Sequence, residues 1–498
     1  MGKERDAVAM RIPKRLFRPM PGRGDAYAPP PYRARGYFRD ALGRFLKLIS
    51  VRAALFVLLL ICLFSLLTPI LTSRSDTHMD PYYAKLPPRV EALSGAMGIA
   101  DGAVNRRLGD EALIRLFGIG IGAGEARYSP VISVGESEGR VRRVRLDSYL
   151  EVGFVYKDVS AERYLDMRRW EDESGLGLLY PLIADNEYNP LPSDANLWYK
   201  VGEDGLPVST EGGGVSRIAP SPDMPLEDNY LRGEGGEPIY STPVGSGDSV
   251  RVRVLYYNYY LYENGAPPNY LLGTDSQGYD LALRVSGGIG VSLLLALAVS
   301  AVNLVIGALV GAVEGYYGGA VDLAIERLTD ILSGVPFIVV ATLFQIYLSD
   351  RVGALPSLLF AFVLTGWLGV ANRVRGQFFR YKNAEYVLAA RTMGVGNRRI
   401  MWRHIFPNTL GTLITATALS IPGVIFTESM LSFLGIVNLG AEGVTSLGTL
   451  LSDASGIWVN YPHLMIAPAA VISLFMISFN MIGNGLRDAF DPATKGVV

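Results

Sequence analysis

The chain has 498 residues, of which 49% are hydrophobic and 19% charged, with a mean hydropathy of +0.24. That is too apolar for an ordinary soluble protein and too charged for a purely membrane-embedded one, so membrane spans joined to a water-exposed domain are expected. The net charge of -1 excludes nothing because charge is segregated along the chain, whereas the single cysteine, Cys62, excludes a disulfide framework or a cysteine-built metal site, and His78, His404 and His463 lie too far apart in sequence to suggest zinc.

Residues 1–50 carry 12 basic and 4 acidic side chains, which predicts a cytoplasmic N-terminal segment. A secretory signal peptide is not expected, because the first apolar run begins about 50 residues in and lacks an obvious cleavage site. Six segments are long and apolar enough to cross a bilayer core of about 30 Å: 53–71, 285–313, 331–349, 352–372, 409–433 and 461–486. Six spans put both termini on one side. Residues 373–404, with 8 basic side chains and 1 acidic, are expected on that same cytoplasmic side.

Residues 72–273 then lie outside. The stretch 72–280 holds 20 basic and 32 acidic side chains, a balance that bears on partners rather than on fold. About 200 residues suffice for a separate core. RVRVLYYNYYLY (251–262), YLEVGFVY (149–156) and residues 131–144 read as strands. Residues 206–247, crowded with Gly, Pro and acids, read as loop. A mostly β (α+β) domain with some helix is expected. GIGIGAG (118–124) resembles half of a dinucleotide fingerprint, but the full motif needs a strand before it, a helix after it and an acidic residue about 20 on, and the segment is expected outside the cell, so no nucleotide site is assigned. Glu171, Asp172 and Glu173 read as a solvated acidic loop rather than a calcium or hydrolytic site.

Residues 384–408, AEYVLAARTMGVGNRRIMWRHIFPN, form a basic segment between two apolar runs. Glu385–Met393 consists of helix formers without a breaker. Helical spacing groups Ala389, Ala390 and Gly394 as a small-residue side open to close approach. Gly394 suits a left-handed helix end, Asn397 a cap for a second short helix over 398–404, and Pro407 the entry to the next span. A basic loop with no partner remains the alternative. Inside the spans, Asn303, Gln345, Glu428 and Asn480 are candidates for a polar pathway. Helix–helix packing is the alternative for the amides, and hydration near the outer span end for Glu428.

The segment resembles the EAA motif of ABC importer permeases, E-A-A-x3-G-x9-I-x-L-P. Its matching positions are Leu388, Ala389, Ala390, Gly394, His404, Phe406 and Pro407, with Leu388, His404 and Phe406 departing in residue type. EYVLAARTMGVG is similar to the dipeptide/oligopeptide branch. So are LGTDSQGYD (272–280, Tyr279 in place of Arg), GYYGGAVD (315–322), TGWLGVANRVRGQ (365–377), ESMLSFLGI (428–436) and FNMIGNGLRDAFDP (479–492). Leu447 stands where the branch has Trp, and a large insert replaces a short outer segment.

The resemblance implies a membrane all-α protein with six transmembrane helices of the ABC type I importer permease fold. The insert would lie between helices 1 and 2. The expected organisation is a cytoplasmic segment 1–50, a first helix 51–71, an extracytoplasmic domain 72–273, a core 274–490 with coupling loop 384–408, and a tail 491–498. The chain would be a C-type subunit in a prokaryotic cell membrane, moving dipeptides or oligopeptides as a transport subunit rather than an enzyme. Its implied partners are a homologous permease subunit in a heterodimer, two cytoplasmic ATPases holding ATP and Mg, an extracytoplasmic substrate-binding protein, peptide and membrane lipid, with no nucleic acid. No cofactor is expected in this chain, which has no G-x4-G-K-[ST] phosphate loop. Glu385, Arg391, Arg398 and Arg399 would make rim contacts to an ATPase, Ala389, Ala390 and Gly394 the close fit, and Gly394 and Pro407 the loop's shape. The alternatives are a permease for nickel complexes or another small solute, and a membrane-anchored outer receptor or enzyme.

Overall fold

The computed structural model describes residues 37–72, 78–90, 94, 100–138, 141–184, 194–196, 230–245 and 248–490. Most of segment 1–50, much of the expected loop 206–247 and the tail 491–498 lie outside the described residues.

The chain begins with α1 (Tyr37–Lys47) and α2 (Ile49–Leu71). The insert follows, with β1 (Ala103–Gly109), α3 (Asp110–Gly122), β2 (Val131–Glu138), β3 (Val141–Asp147), β4 (Phe154–Ser160), α4 (Ala161–Ser174), β5 (Leu179–Tyr180), β6 (Ser241–Val244), β7 (Ser249–Leu255) and α5 (Tyr256–Asn264). The helical core comprises α6 (Leu281–Tyr317), α7 (Gly319–Ser333), α8 (Phe337–Val352), α9 (Ala354–Gly366), α10 (Leu368–Tyr381), α11 (Glu385–Thr392), α12 (Asn397–Arg399), a π-helical turn (Ile400–Ile405), α13 (Phe406–Phe433), α14 (Leu447–Ala454) and α15 (Pro462–Phe490).

Among the described residues five helical stretches are long and apolar enough to span a membrane: Ile49–Leu71, Leu281–Tyr317, Ala354–Tyr381, Asn397–Phe433 and Pro462–Phe490. The expected span 331–349 is not one helix. It is divided between α7 and α8, which meet at 76° and make a sixth crossing only if counted together. Pro336 stands at the break, where it lacks an N–H to continue the α7 ladder, and the chain restarts at Phe337.

Small residues let α6 and α10 approach closely. A Cβ on Gly307, Gly311 or Gly315 would fall 2.6 Å from the Val370 Cβ, 2.3 Å from the Ala371 carbonyl oxygen and 2.7 Å from the Phe378 Cβ, respectively. Helices α6, α13, α14 and α15 share one core that includes Val285, Ile289, Ile425, Leu447 and Phe475. The α1–α2 corner packs on α15 through Phe45, Val51 and Ile482.

The insert is α+β, with helix and sheet in comparable measure. One sheet has the order β1-β3-β2, all antiparallel, and packs Val144 and Leu146 against Leu113, Leu116 and Ile119 of α3. The other has the order β4-β7-β5, with β6 also paired to β7. One face of β4 and β7 (Val155, Val159, Val252, Val254) joins Tyr83, Tyr149, Tyr256, Tyr260 and Tyr270 in a tyrosine-rich core.

Three expected strands change. Residues 131–144 belong to two strands of a hairpin, β2 and β3. Within 149–156 the strand begins only at Phe154. Of 251–262, only the part through Leu255 is strand, and the tyrosine run is helix α5, closed by Gly265 with φ +67°. Its Tyr256 and Tyr260 are buried, four residues apart on one face. The buried Asn258 donates to the Tyr128 hydroxyl and the Gly177 carbonyl. Glu171, Asp172 and Glu173 end helix α4 rather than form a loop, and Glu171 accepts from the amides of Leu178 and Leu179. GIGIG lies in α3.

Two segments distant in sequence are interwoven where insert meets core. Asp80 N donates to Gly278 O, Lys85 N to Asp275 O (2.8 Å) and Thr274 N to Leu86 O (3.0 Å). Thr274 is fully buried, and its hydroxyl accepts from Leu86 N at 2.8 Å. A Cβ on Gly278 would lie 1.9 Å from the Asp80 carbonyl oxygen, and one on Gly273 2.2 Å from that of Leu86; both have φ above +80°. LGTDSQGYD is thus the mount on which the insert sits, and Asp280 caps α6 by accepting from Ala282 N.

Candidate coupling segment and buried polar groups

Helix α11 runs from Glu385 to Thr392 and stops because Gly394 takes φ +77°. Val387 and Ala390 face inward and are buried, with Val387 in a core of Phe378, Ile400, Met401 and Ile405. Ala390 therefore does not share the exposed side with Ala389 and Gly394. The outward surface is Glu385, Leu388, Ala389, Met393 and Gly394, and Met393 is 77% exposed. Arg391, Arg398, Arg399 and Pro407 are exposed as well.

The expected second helix over 398–404 is three α-helical residues followed by a π-turn that runs into α13. Asn397 is not its cap. Gly396 holds that position, and the Asn397 side chain accepts from the Tyr316 hydroxyl at 2.8 Å. Arg391 lies over the Tyr316 ring, 5.5 Å from its centroid, and Lys382 donates to Gly315 O at 3.2 Å. Asn408 links back to the Tyr386 hydroxyl at 3.2 Å. The segment is therefore fixed to the end of α6, α10 and the start of α13.

Sequence reasoning did not single out Arg375 of α10. Its guanidinium makes a two-point contact with Asp322 of α7 (2.6 and 3.0 Å) and weaker contacts with Glu326 at 3.4 Å. Glu314 of α6 lies 3.3 Å away. GYYGGAVD and TGWLGVANRVRGQ each contribute one side of this cluster. Their spacing in sequence gave no sign of it, because the pair is 53 residues apart.

The four polar span residues occupy four different settings. Glu428, expected as a hydrated or pathway residue, is 1% exposed. It accepts hydrogen bonds from Ser446 (2.7 Å), Ser292 (3.1 Å), Ser432 (3.2 Å) and Ser429 (3.4 Å). Ser446 also caps α14 in a reciprocal capping box with Thr449. Glu428 is thus the centre of a lock joining α6, α13 and α14. A Cβ on Gly448 would lie 2.6 Å from Ser429 Cα, so α14 needs that glycine to sit down on α13. Gln345 is buried and donates to Ala354 O at 2.9 Å, closing the α8–α9 corner. At the same corner Glu442 accepts from Ala354 N. Asn303 is buried against Gly366, with its side-chain oxygen lacking a hydrogen-bond partner among the described residues. Asn480 is exposed on α15. None of the four bonds to another. Among the described residues no group of three His, Cys, Asp or Glu side chains could hold a metal ion.

Comparisons with known proteins bear on the same helical core. Residues 304–496 match the model of the binding-protein-dependent transport system inner membrane component. The chain is 37% identical over 232 residues to the oligopeptide transport system permease protein OppC of Bacillus subtilis, covering 46% of this chain and 74% of that one. It is 42% identical over 227 residues to OppC of Haemophilus influenzae (45% and 71%). It is also 37% identical over 240 residues to the dipeptide transport system permease protein DppC of Bacillus subtilis (47% and 73%). With several spanning helices, small-residue helix packing and a two-sheet insert beside this core, the chain belongs to the family of binding-protein-dependent transport system inner membrane components, the ABC permeases that include the oligopeptide and dipeptide permeases.

Proposed function

We propose that the chain forms half of the translocation pathway of an ATP-driven peptide importer. The other half is a homologous permease subunit. Two cytoplasmic ATPases hold ATP and Mg and supply the work, and an extracytoplasmic binding protein delivers the dipeptide or oligopeptide. The observation that carries this reading is the coupling segment: an exposed face of Leu388, Ala389, Met393 and Gly394, rimmed by Glu385, Arg391, Arg398 and Arg399, on a scaffold tied to α6 by Tyr316 and Asn397. Apolar residues at the centre with charges at the rim suit a protein partner. The positive charge around the segment favours the cytoplasmic side, which puts both termini there and residues 72–273 outside.

Asn303, whose side-chain oxygen has no hydrogen-bond partner among the described residues, and Asn480, exposed on α15, are the pathway residues in this reading, while Gln345 and Glu428 hold the helices together. Replacing Gly394 with Trp tests the coupling role. The variant should insert normally and lose peptide-stimulated ATP hydrolysis in the reconstituted complex; full stimulation would refute the assignment.

A second role belongs to the insert. Its mount on LGTDSQGYD beside the start of α6 supports a function at the pathway mouth, in docking the binding protein or shielding the opening. Excising residues 76–258 should weaken docking and uptake. Unchanged values for both would remove this role.

A further inference from the structure

The insert contains a cavity of about 1130 Å³ that the coupling and pathway readings do not use. Its floor is the face of the β4–β7 sheet opposite the tyrosine-rich core. Alternation along the strands puts Tyr156 and Asp158 of β4 beside Arg251 of β7 on that face. The walls come from the other sheet and from the segment interwoven with LGTDSQGYD. The cavity ends against Tyr461, the residue before the last spanning helix. It therefore lies at the junction of insert and membrane core.

Its charges are unequal. Among the described residues four cations line it, Lys85, Arg106, Arg115 and Arg251, with three carboxylates, Glu151, Asp158 and Asp194. Each carboxylate is matched to an arginine: Glu151 to Arg106, Asp194 to Arg115 at 3.5 Å, and Asp158 to Arg251 through two bonds of 2.8 and 2.9 Å. Among the described residues no carboxylate pairs with Lys85. Its ammonium lies 5.7 Å from the centre of the Tyr461 ring. This surplus cation stands in a domain that is acidic overall.

Lys85 is also one of two described non-glycine residues with positive φ, at 64°. Such a conformation costs free energy and persists only where the surroundings impose it. Here the imposing contact is the bond from Lys85 N to Asp275 O in the mount. The side chain is thereby delivered into the cavity from a backbone held on both sides, while Tyr82, Tyr156 and Tyr461 supply aromatic surface.

We propose that this cavity binds a peptide, with the peptide's terminal carboxylate on Lys85 and its side chains against the tyrosine and Arg–carboxylate lining. The inference rests on the reading of the chain as a peptide permease. A carboxylate would receive a charge-assisted hydrogen bond from an ammonium that has no anion among the described residues, and a cavity of this size exceeds what a single small solute needs. Peptide held here stands beside the end of a spanning helix, between delivery and the pathway.

The test uses the full chain in lipid nanodiscs, without ATPases or binding protein. The probes are fluorescent tetrapeptides of one sequence, one with a free C-terminal carboxylate and one C-terminally amidated. The free acid should bind saturably and at least about tenfold more tightly than the amide, the scale of one charge-assisted bond. Lys85→Met should abolish the difference, and Lys85→Arg, which keeps the charge, should retain most of it and so controls for misfolding of the Met variant. Equal binding of acid and amide, or discrimination that survives in a folded Lys85→Met chain, overturns the proposal. ATP-driven uptake by the complete reconstituted complex tests the permease reading separately. Uptake without acid–amide discrimination overturns the cavity alone, and discrimination without uptake overturns the importer reading alone.

Discussion

The Tyr316 hydroxyl donates to the Asn397 side-chain oxygen across 2.8 Å, joining the last turn of α6 to the turn that follows Gly396. Through this bond a spanning helix touches the coupling segment without help from the intervening loops.

Tyr316→Phe removes that bond and leaves the ring in place. A neutral hydrogen bond contributes about 1 kcal/mol, or roughly a fivefold effect on an equilibrium. The variant should insert and fold, and peptide-stimulated ATP hydrolysis should fall by about that factor. Adding Asn397→Ala should cost little more, because the two residues act as a pair. Independent, additive losses in the double variant would show that the bond is not the link.

Gly278→Ala puts a methyl group 1.9 Å from the Asp80 carbonyl oxygen at a residue whose φ is +95°. Backbone on both sides leaves no flexible atom to give way. The insert should lose about 2 kcal/mol or more of stability, read as earlier thermal unfolding and faster proteolysis between the spans. Gly287→Ala, where nothing lies within 4 Å, should be silent on both measurements.

The tyrosine cluster makes the insert sensitive to alkali. Burial and the neighbouring Glu263 carboxylate push the Tyr259 phenol up to about 12. Burial with Asp80 beside it raises Tyr256 as well. An unfolded tyrosine ionises near 10, so between that value and about 12 the folded insert binds more protons than the unfolded one. Its stability from this group is fully present below about pH 10 and falls as pH rises through that window. Tyrosinate absorbance should rise late and together with loss of structure, and early ionisation without unfolding would contradict this. Tyr259→Phe should widen the stable range.

Glu428→Ala leaves the hydroxyls of Ser292, Ser432 and Ser446 without their shared acceptor and opens a void in the core. A loss of about 2 kcal/mol or more is expected, measured as a fall in unfolding temperature of the detergent-solubilised chain. Glu428→Gln keeps size and one acceptor, and should lose less than half as much. Wild-type stability in both variants would mean that the serine lock holds nothing.

The spanning helices were legible in the sequence because a membrane demands long apolar runs, and the phrases around them identified the family. What local sequence could not give was the partner of each residue. The run YYNYYLY suits strand by composition but is helix, with Tyr256 and Tyr260 one turn apart in the tyrosine-rich core and Asn258 on the other side bonded to Tyr128 and Gly177. Ala390 looked like a neighbour of Ala389 on a small face, but it is buried, one helical turn from the buried Val387. Asn397 has the chemistry of a cap and is used by Tyr316 instead. The serines around Glu428 come from two helices, α6 and α13, and from the residue that caps α14, and no spacing rule links them. Pro336 stands inside the expected span 331–349, and because membrane helices tolerate proline its presence did not announce the 76° break before Phe337.

Helix α6 is 37 residues long, about 55 Å at 1.5 Å per residue. Its first residues emerge from the mount of the insert and its last turn holds Asn397. A rod with both ends gripped transmits tilt and rotation as a rigid lever. A spectroscopic label on the insert would therefore report any movement imposed on segment 384–408, at the other end of the helix, as a displacement of the whole insert.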